Sequence, residues 1–182
     1  MMDEVDGIVQ AWAAVRPDLD PGPMQLLSRV RRLAQLLDDQ REEAFAEHGL
    51  ASHEFDVLAA LRRSEESGGL TPGQLTEATH VTSGTMTNRL DRLQRRRLVR
   101  RAPDPQDRRQ SLVTLTATGR RKVDGAMASL LDIEAALIAG LGPRELATTV
   151  RALRTLLAQA ASNWAQPESS PEVQPKIVGR PG

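Results

Sequence analysis

The chain has no cysteine and no tyrosine, and only two tryptophans and two phenylalanines among its 182 residues. Without cysteine there is no disulfide, no thiol nucleophile and no thiol redox switch within the chain. Aromatic residues make up 2% against 40% hydrophobic residues in all, so Leu, Ala and Val must fill the core. The three histidines, His48, His53 and His80, do not stand at metal-ligand spacing, and no thiolate is there to complete a site. No metal is expected. No apolar run approaches the about 18 residues that a membrane span needs. The opening MMDEVDGIVQ is acidic and unlike a secretory signal. A cytoplasmic protein with no membrane partner is therefore expected. There is also no G-x-S-x-G, no H-E-x-x-H and no P-loop, so neither an enzyme nor a bound cofactor is expected.

Net charge is missing too, since 24 Lys and Arg balance 24 Asp and Glu. The balance hides a polarised molecule. From Arg89 to Lys122 there are twelve Lys and Arg against three Asp, a net of +9; the remainder holds 12 against 21, a net of −9. A basic lobe of this kind suits phosphates. The plain alternative is a solvated, arginine-rich helix end.

That lobe lies in residues 71–122, TPGQLTEATHVTSGTMTNRLDRLQRRRLVRRAPDPQDRRQSLVTLTATGRRK, around which the chain is organised. Thr71-Pro72 reads as an N-cap followed by a first-turn proline, opening a helix that runs to His80. A second helix starts near Thr82 or Ser83. Met86, Leu90, Leu93 and Leu98 recur close to helical spacing. The other face carries Ser83, Gly84, Thr87, Asn88 and Asp91, short enough to let the helix approach base edges and phosphates. Leu98–Arg101 and Ser111–Leu115 read as strands around a proline-containing loop. Helix, helix, strand, loop, strand is the order of a winged helix-turn-helix.

Helices flank this lobe. Residues 4–15 form a short amphipathic helix with Val5, Ile8, Val9 and Trp12 along one side, ending at Arg16-Pro17. Residues 23–48 form a long helix with a stripe of Leu26, Leu27, Val30, Leu33, Leu36, Leu37 and Ala44, ended by Gly49 as C-cap. Ser52 is expected to cap the next helix, whose buried side is Phe55, Leu58, Ala59 and Leu61; Leu70 adds a brief strand to the hairpin. After the wing, a helix runs from Thr116 to about Ala139 with Met127, Leu130, Leu131, Ile133, Leu137 and Ile138 as its apolar positions. A last helix spans about Pro143–Trp164. The expected division is 1–20 as N-terminal helix and linker, 21–50 with 116–165 as a helical dimerisation region, 51–115 as the DNA-binding lobe, and 166–182 as a disordered tail. The fold class is mainly α with a small β-hairpin wing. Long apolar terminal helices suit a two-fold homodimer, whose two lobes would meet half-sites spaced by a helical turn of DNA.

Over roughly residues 23–160 the chain resembles the multiple-antibiotic-resistance regulator (MarR) family. The resemblance rests on GLASHEFDVLAAL, TNRLDRLQRRRLVRR and, above all, the wing sequence DPQDRRQSLVTLTATG. It implies a DNA-binding transcription regulator. Ser83, Thr87, Asn88 and Arg92 would work in the major groove, and Asp107, Arg108 and Arg109 would lie at the wing, where Asp107 and Arg109 match a structural ion pair and minor-groove probe. A narrower resemblance is to the urate-responsive subgroup, which carries an extra N-terminal helix. Its ligand residues match Trp12, Asp56, Arg89 and Arg101.

Arg89 is three residues after Met86 and four before Leu93, on the shoulder of the buried stripe. Asp56, between Phe55 and Val57, is expected to be at least partly covered. A covered Asp and a covered Arg need partners. They can pair with each other, or a flat anion can take Arg89 and Arg101 as bidentate donors and stack on Trp12. The first function to follow is a repressor released from a pseudo-palindromic operator by a small anionic or aromatic, urate-like ligand. The second is an effector-independent architectural or constitutive DNA-binding protein.

Overall fold

The computed structural model describes residues 2–104 and 110–164. The elements, in chain order, are α1 (Glu4–Val15), α2 (Met24–Glu47), α3 (Ser52–Arg63), a single 3-10 turn (Glu65–Ser67), α4 (Pro72–Thr79), α5 (Ser83–Arg95), β1 (Val99–Pro103), β2 (Ser111–Leu115), α6 (Ala117–Ile138) and α7 (Pro143–Trp164). The architecture is mainly helical with one antiparallel hairpin, in which Val99 faces Leu115 and Pro103 faces Ser111. The chain divides into two compact units, residues 1–136 and 137–182. The expected disordered tail, 166–182, lies outside the described residues.

The first unit is built around α3. From Glu54 to Leu61 every residue but Asp56 is buried. Its neighbours supply Phe45 from α2, Leu75 from α4, Met86, Leu90 and Leu93 from α5, Leu98, Val113 from β2, and Val123 from α6, each at most 2% exposed. Full burial of such side chains contributes about 1.5–3 kcal/mol apiece. Phe45 and Phe55 stack with ring centroids 3.9 Å apart. Leu70 pairs with Val113 as an isolated bridge, so the hairpin gains a third short edge.

Helix ends follow their sequence signals closely. Asp3 caps α1, accepting from Val5 and Asp6, and Thr71 caps α4 with Gln74 reaching back to its N–H. Gly49 takes φ +63° after α2, and the N–H groups of Gly49 and Leu50 bond to Ala46 and Phe45. This is the paired closure that favours glycine. The C-terminus of α5 closes the same way, with Arg97 at φ +57° and Leu98 N–H on Leu93 O at 3.0 Å. Leu98, expected as the first strand residue, is thereby used to end the helix, and β1 starts at Val99. Its carbonyl then accepts from Thr116 N at 3.0 Å. A Cβ on Gly119 would stand 2.0 Å from that same oxygen, so only glycine fits the start of α6.

The expected cap of α3 is corrected. Ser52 is the first residue of α3 and not its cap. Ala51 holds the extended N-cap conformation, and the Glu54 carboxylate accepts its N–H at 3.1 Å. An acid at the third helical position does this work where the cap residue has no side-chain acceptor. The apolar positions expected on α6 also divide: Leu130 is buried, whereas Met127, Leu131, Leu137 and Ile138 are exposed. The buried face of α6 is made instead by Gly119, Val123, Ala126 and Leu130.

The α2 stripe is likewise largely uncovered within one chain. Leu26, Leu27, Val30, Leu33 and Leu36 are exposed, and only Ala44 and Phe45 of α2 are buried. The N-terminus of α1 is joined to α2 by Arg29, which bonds to Asp3 and Asp6, and by Arg32 with Glu4 at 2.6 Å. In the second unit, Glu145 caps α7 by accepting the Gly142 N–H at 2.8 Å, and Val150, Leu153 and Leu157 are exposed. No single helix among the described residues is long and apolar enough to cross a membrane.

Candidate nucleic-acid interface

The turn between α4 and α5 sets how α5 is presented. His80 ends α4 in the left-handed region, at φ +53°, and Thr82 caps α5 by accepting from Thr85 N. Thr82 and Thr85 hydroxyls also lie 2.9 Å apart. Met86, Leu90 and Leu93 then anchor one side of α5 in the core. The opposite side is exposed: Ser83, Gly84, Thr85, Thr87, Asn88, Asp91 and Arg92. The Thr87 hydroxyl donates to Ser83 O at 3.0 Å. Among the described residues, the side chains of Ser83 and Asn88 make no hydrogen bond within the chain. Short, uncommitted side chains on a helix anchored from behind are what contact with base edges requires.

Basic residues continue from this face. Arg95, Arg96, Arg97 and Arg100 are exposed. Arg100 Nε donates to Thr114 Oγ1 at 2.9 Å across the hairpin. Three residues expected at the wing, Asp107, Arg108 and Arg109, lie outside the described residues.

The four candidate ligand residues come from four elements, α1, α3, α5 and β1. Trp12 is 49% exposed and lines an apolar groove of about 250 Å³ with Ile8, Ala11 and Val15, all on α1. Asp56 is exposed, contrary to the expected cover, because α3 is buried nearly all round and Asp56 marks the one strip left open. Arg89 is half-buried and has no hydrogen bond or ion pair among the described residues. Arg101 donates from Nη2 to Asp91 Oδ1 at 2.8 Å, and its Nε is buried without a partner. No hydrogen bond or ion pair joins any two of the four.

The buried charge of this region is Glu54, 1% exposed at the base of α3. Besides the Ala51 N–H it accepts from Arg96 Nη1, while Arg96 Nη2 donates to Gly49 O at 2.5 Å. Arg92 Nε stands 3.3 Å from Glu54 Oε1, out of hydrogen-bond alignment. Burial pushes the Glu54 carboxyl up, but the Arg96 hydrogen bond, the Ala51 N–H and the charges of Arg96 and Arg92 outweigh it. They hold the group below the ordinary glutamate range. These residues line an open cavity of about 910 Å³ together with Asp39, Glu42 and Glu43. Glu54 and Arg96 were not among the residues expected at the site. Their signal in the sequence is the acid three residues after Ala51 and the helical i,i+4 spacing of Arg92 and Arg96.

Comparison with known proteins gives the family. Residues 48–110 match the family model described as "MarR family". The chain is similar to the HTH-type transcriptional regulator PecS of Dickeya dadantii, 39% identical over 116 residues, spanning 64% of this chain and 70% of PecS. Its fold is similar to that of an E. coli MarR mutant solved with operator DNA, at a TM-score of 0.61 and 26% identity, covering 80% of this chain and 97% of that one. It also resembles a mutant of S. aureus MepR, at a TM-score of 0.65 and 21% identity over 74% of this chain and 98% of that one, a likeness of fold alone. The chain belongs to the MarR family of DNA-binding transcription regulators.

Proposed function

We propose that two copies of the chain form a repressor that occupies a pseudo-palindromic operator and leaves it when a small anionic or aromatic ligand of the urate kind binds. The observation that carries this is the exposed face of α5, where Ser83, Thr87, Asn88 and Arg92 lie outward on a helix fixed by Met86, Leu90 and Leu93. Ser83, Thr87, Asn88 and Arg92 enter the major groove. Asp107, Arg108 and Arg109 serve the adjacent minor groove. The exposed apolar residues of α2, α6 and α7 are the surfaces a second copy covers. The protein works in the cytoplasm, where its DNA is.

The ligand takes Arg89 and Arg101 as donors, with Asp56 and Trp12 completing the site. Two features support this: among the described residues Arg89 has no hydrogen bond or ion pair, and the buried Nε of Arg101 has no partner. Release requires the ligand to bind the DNA-free arrangement better than the bound one. The test is a mobility shift on the duplex upstream of the protein's own gene, titrated with urate. Urate-dependent release that Arg89→Ala abolishes is expected. No release, with Arg89→Ala indistinguishable from wild type, removes the ligand site.

One observation favours the second reading, binding without an effector. Arg101 is already paired with Asp91, and nothing links Trp12 to the other three residues. Thermal shift separates the two, because a bound small molecule raises the melting temperature by mass action.

A further inference from the structure

A carboxylate that is 1% exposed must be compensated at both oxygens. Glu54 Oε2 is saturated by the Ala51 N–H and by Arg96. Oε1 makes no hydrogen bond, and the charge beside it is Arg92, approaching with Nε at 3.3 Å. The Arg92 side chain is otherwise 59% exposed, and among the described residues its two Nη nitrogens bond to nothing. One edge of the guanidinium therefore faces a fixed buried anion, and the other edge is free.

A guanidinium is planar and rigid, so holding its Nε edge sets the plane in which the Nη pair projects. Arg96 does not share this freedom, being occupied by Glu54 and Gly49 O. Arg92 is thus the one of the two whose fork remains available on the exposed side of α5.

We propose that Glu54 is a positioning residue for sequence recognition: its buried charge, 3.3 Å from Arg92 Nε, steers the guanidinium so that the Nη fork is turned toward a base edge. The acceptor class is the paired acceptors of guanine, O6 and N7, which a planar fork engages bidentately. This rests on the reading of Arg92 as a DNA contact.

The experiment uses the full chain and fluorescence anisotropy on two duplexes, one enriched by the wild-type protein from a random pool and one of arbitrary sequence. Arg92→Lys keeps the charge but has no Nε edge to hold. Glu54→Gln removes the anion. Each is expected to lower the preference for the enriched duplex about tenfold, and the double variant is expected to do no worse than either single one. The salt dependence of binding to the arbitrary duplex stays as in wild type for Arg92→Lys, because the charge count is unchanged.

Wild-type preference in Arg92→Lys overturns the proposal, as do losses in the two single variants that multiply. Should Glu54→Gln fail to fold, Glu54→Asp takes its place: it keeps the charge but draws it back by one methylene, and wild-type preference in it overturns the positioning role. Arg92→Ala separates the two levels of the claim. An equal loss on both duplexes makes Arg92 a phosphate contact, and the positioning role falls while the DNA contact stands. No loss on either duplex removes the contact itself.

Discussion

Arg101 of β1 donates from Nη2 to the Asp91 carboxylate of α5 at 2.8 Å, tying the first strand of the wing to the helix that precedes it. The pair is partly exposed, at 28% and 50% of the two side chains. It is therefore a weak contributor to stability, on the order of 0.2–1 kcal/mol. Its importance is geometric: an anion that takes the Nη2 edge of Arg101 competes with Asp91, and Asp91 sits on α5 itself.

Asp91→Asn is accordingly expected to change the melting temperature little and to lower the urate concentration that releases DNA. A titrated mobility shift measures this. An Asp91→Asn protein that needs as much urate as wild type places the competition elsewhere.

The Glu54 network makes a prediction about pH. The Glu54 carboxyl is held below its ordinary range in the folded chain. Its stabilisation is therefore complete above the ordinary glutamate pKa of about 4.3 and is lost as pH falls below that through the depressed folded value. Glu54→Gln is expected to be about 1–3 kcal/mol less stable near neutrality, the magnitude of charged hydrogen bonds. The gap closes on acidification. Denaturant melts at neutral pH and at pH values below the glutamate range measure it; a gap that stays constant shows that the charge is not what Glu54 contributes.

Gly119 tests the junction of wing and helix. An alanine methyl there meets Leu98 O, a backbone atom that is already held by Thr116 N and Thr116 Oγ1. Since the carbonyl cannot turn away, Gly119→Ala is expected to cost about 1–3 kcal/mol, as overpacked cores do. Gly84→Ala, on the open face of α5 with nothing within 4 Å of the added carbon, serves as control. It should be neutral or stabilising, since alanine favours helix. Equal stability of the two variants contradicts the tight junction.

Much of this fold was legible because the signals are local. Thr71-Pro72 names the start of α4, Gly49 the end of α2, and the spacing of Met86, Leu90 and Leu93 the buried side of α5. Less legible was whatever depends on residues distant in sequence. Asp56 looked covered from its apolar neighbours, yet α3 leaves one open strip and Asp56 occupies it. The partners of Glu54 lie about forty residues away, and no spacing along the chain announces a contact between α3 and α5. The left-handed Arg97 had no signal either, since glycine or asparagine is the usual residue there. On α6 the helical stripe was real, but it does not distinguish the side buried within the chain from the side left apolar at the surface.

The most direct test of the account is the binding of Asn88→Ala to the two duplexes described above. Asn88 is exposed and makes no hydrogen bond among the described residues, so its loss leaves the fold alone. If the outer face of α5 reads bases, affinity for the enriched duplex falls about tenfold while affinity for the arbitrary duplex and its salt dependence stay as in wild type. Wild-type affinity for the enriched duplex would show that this face does not read DNA.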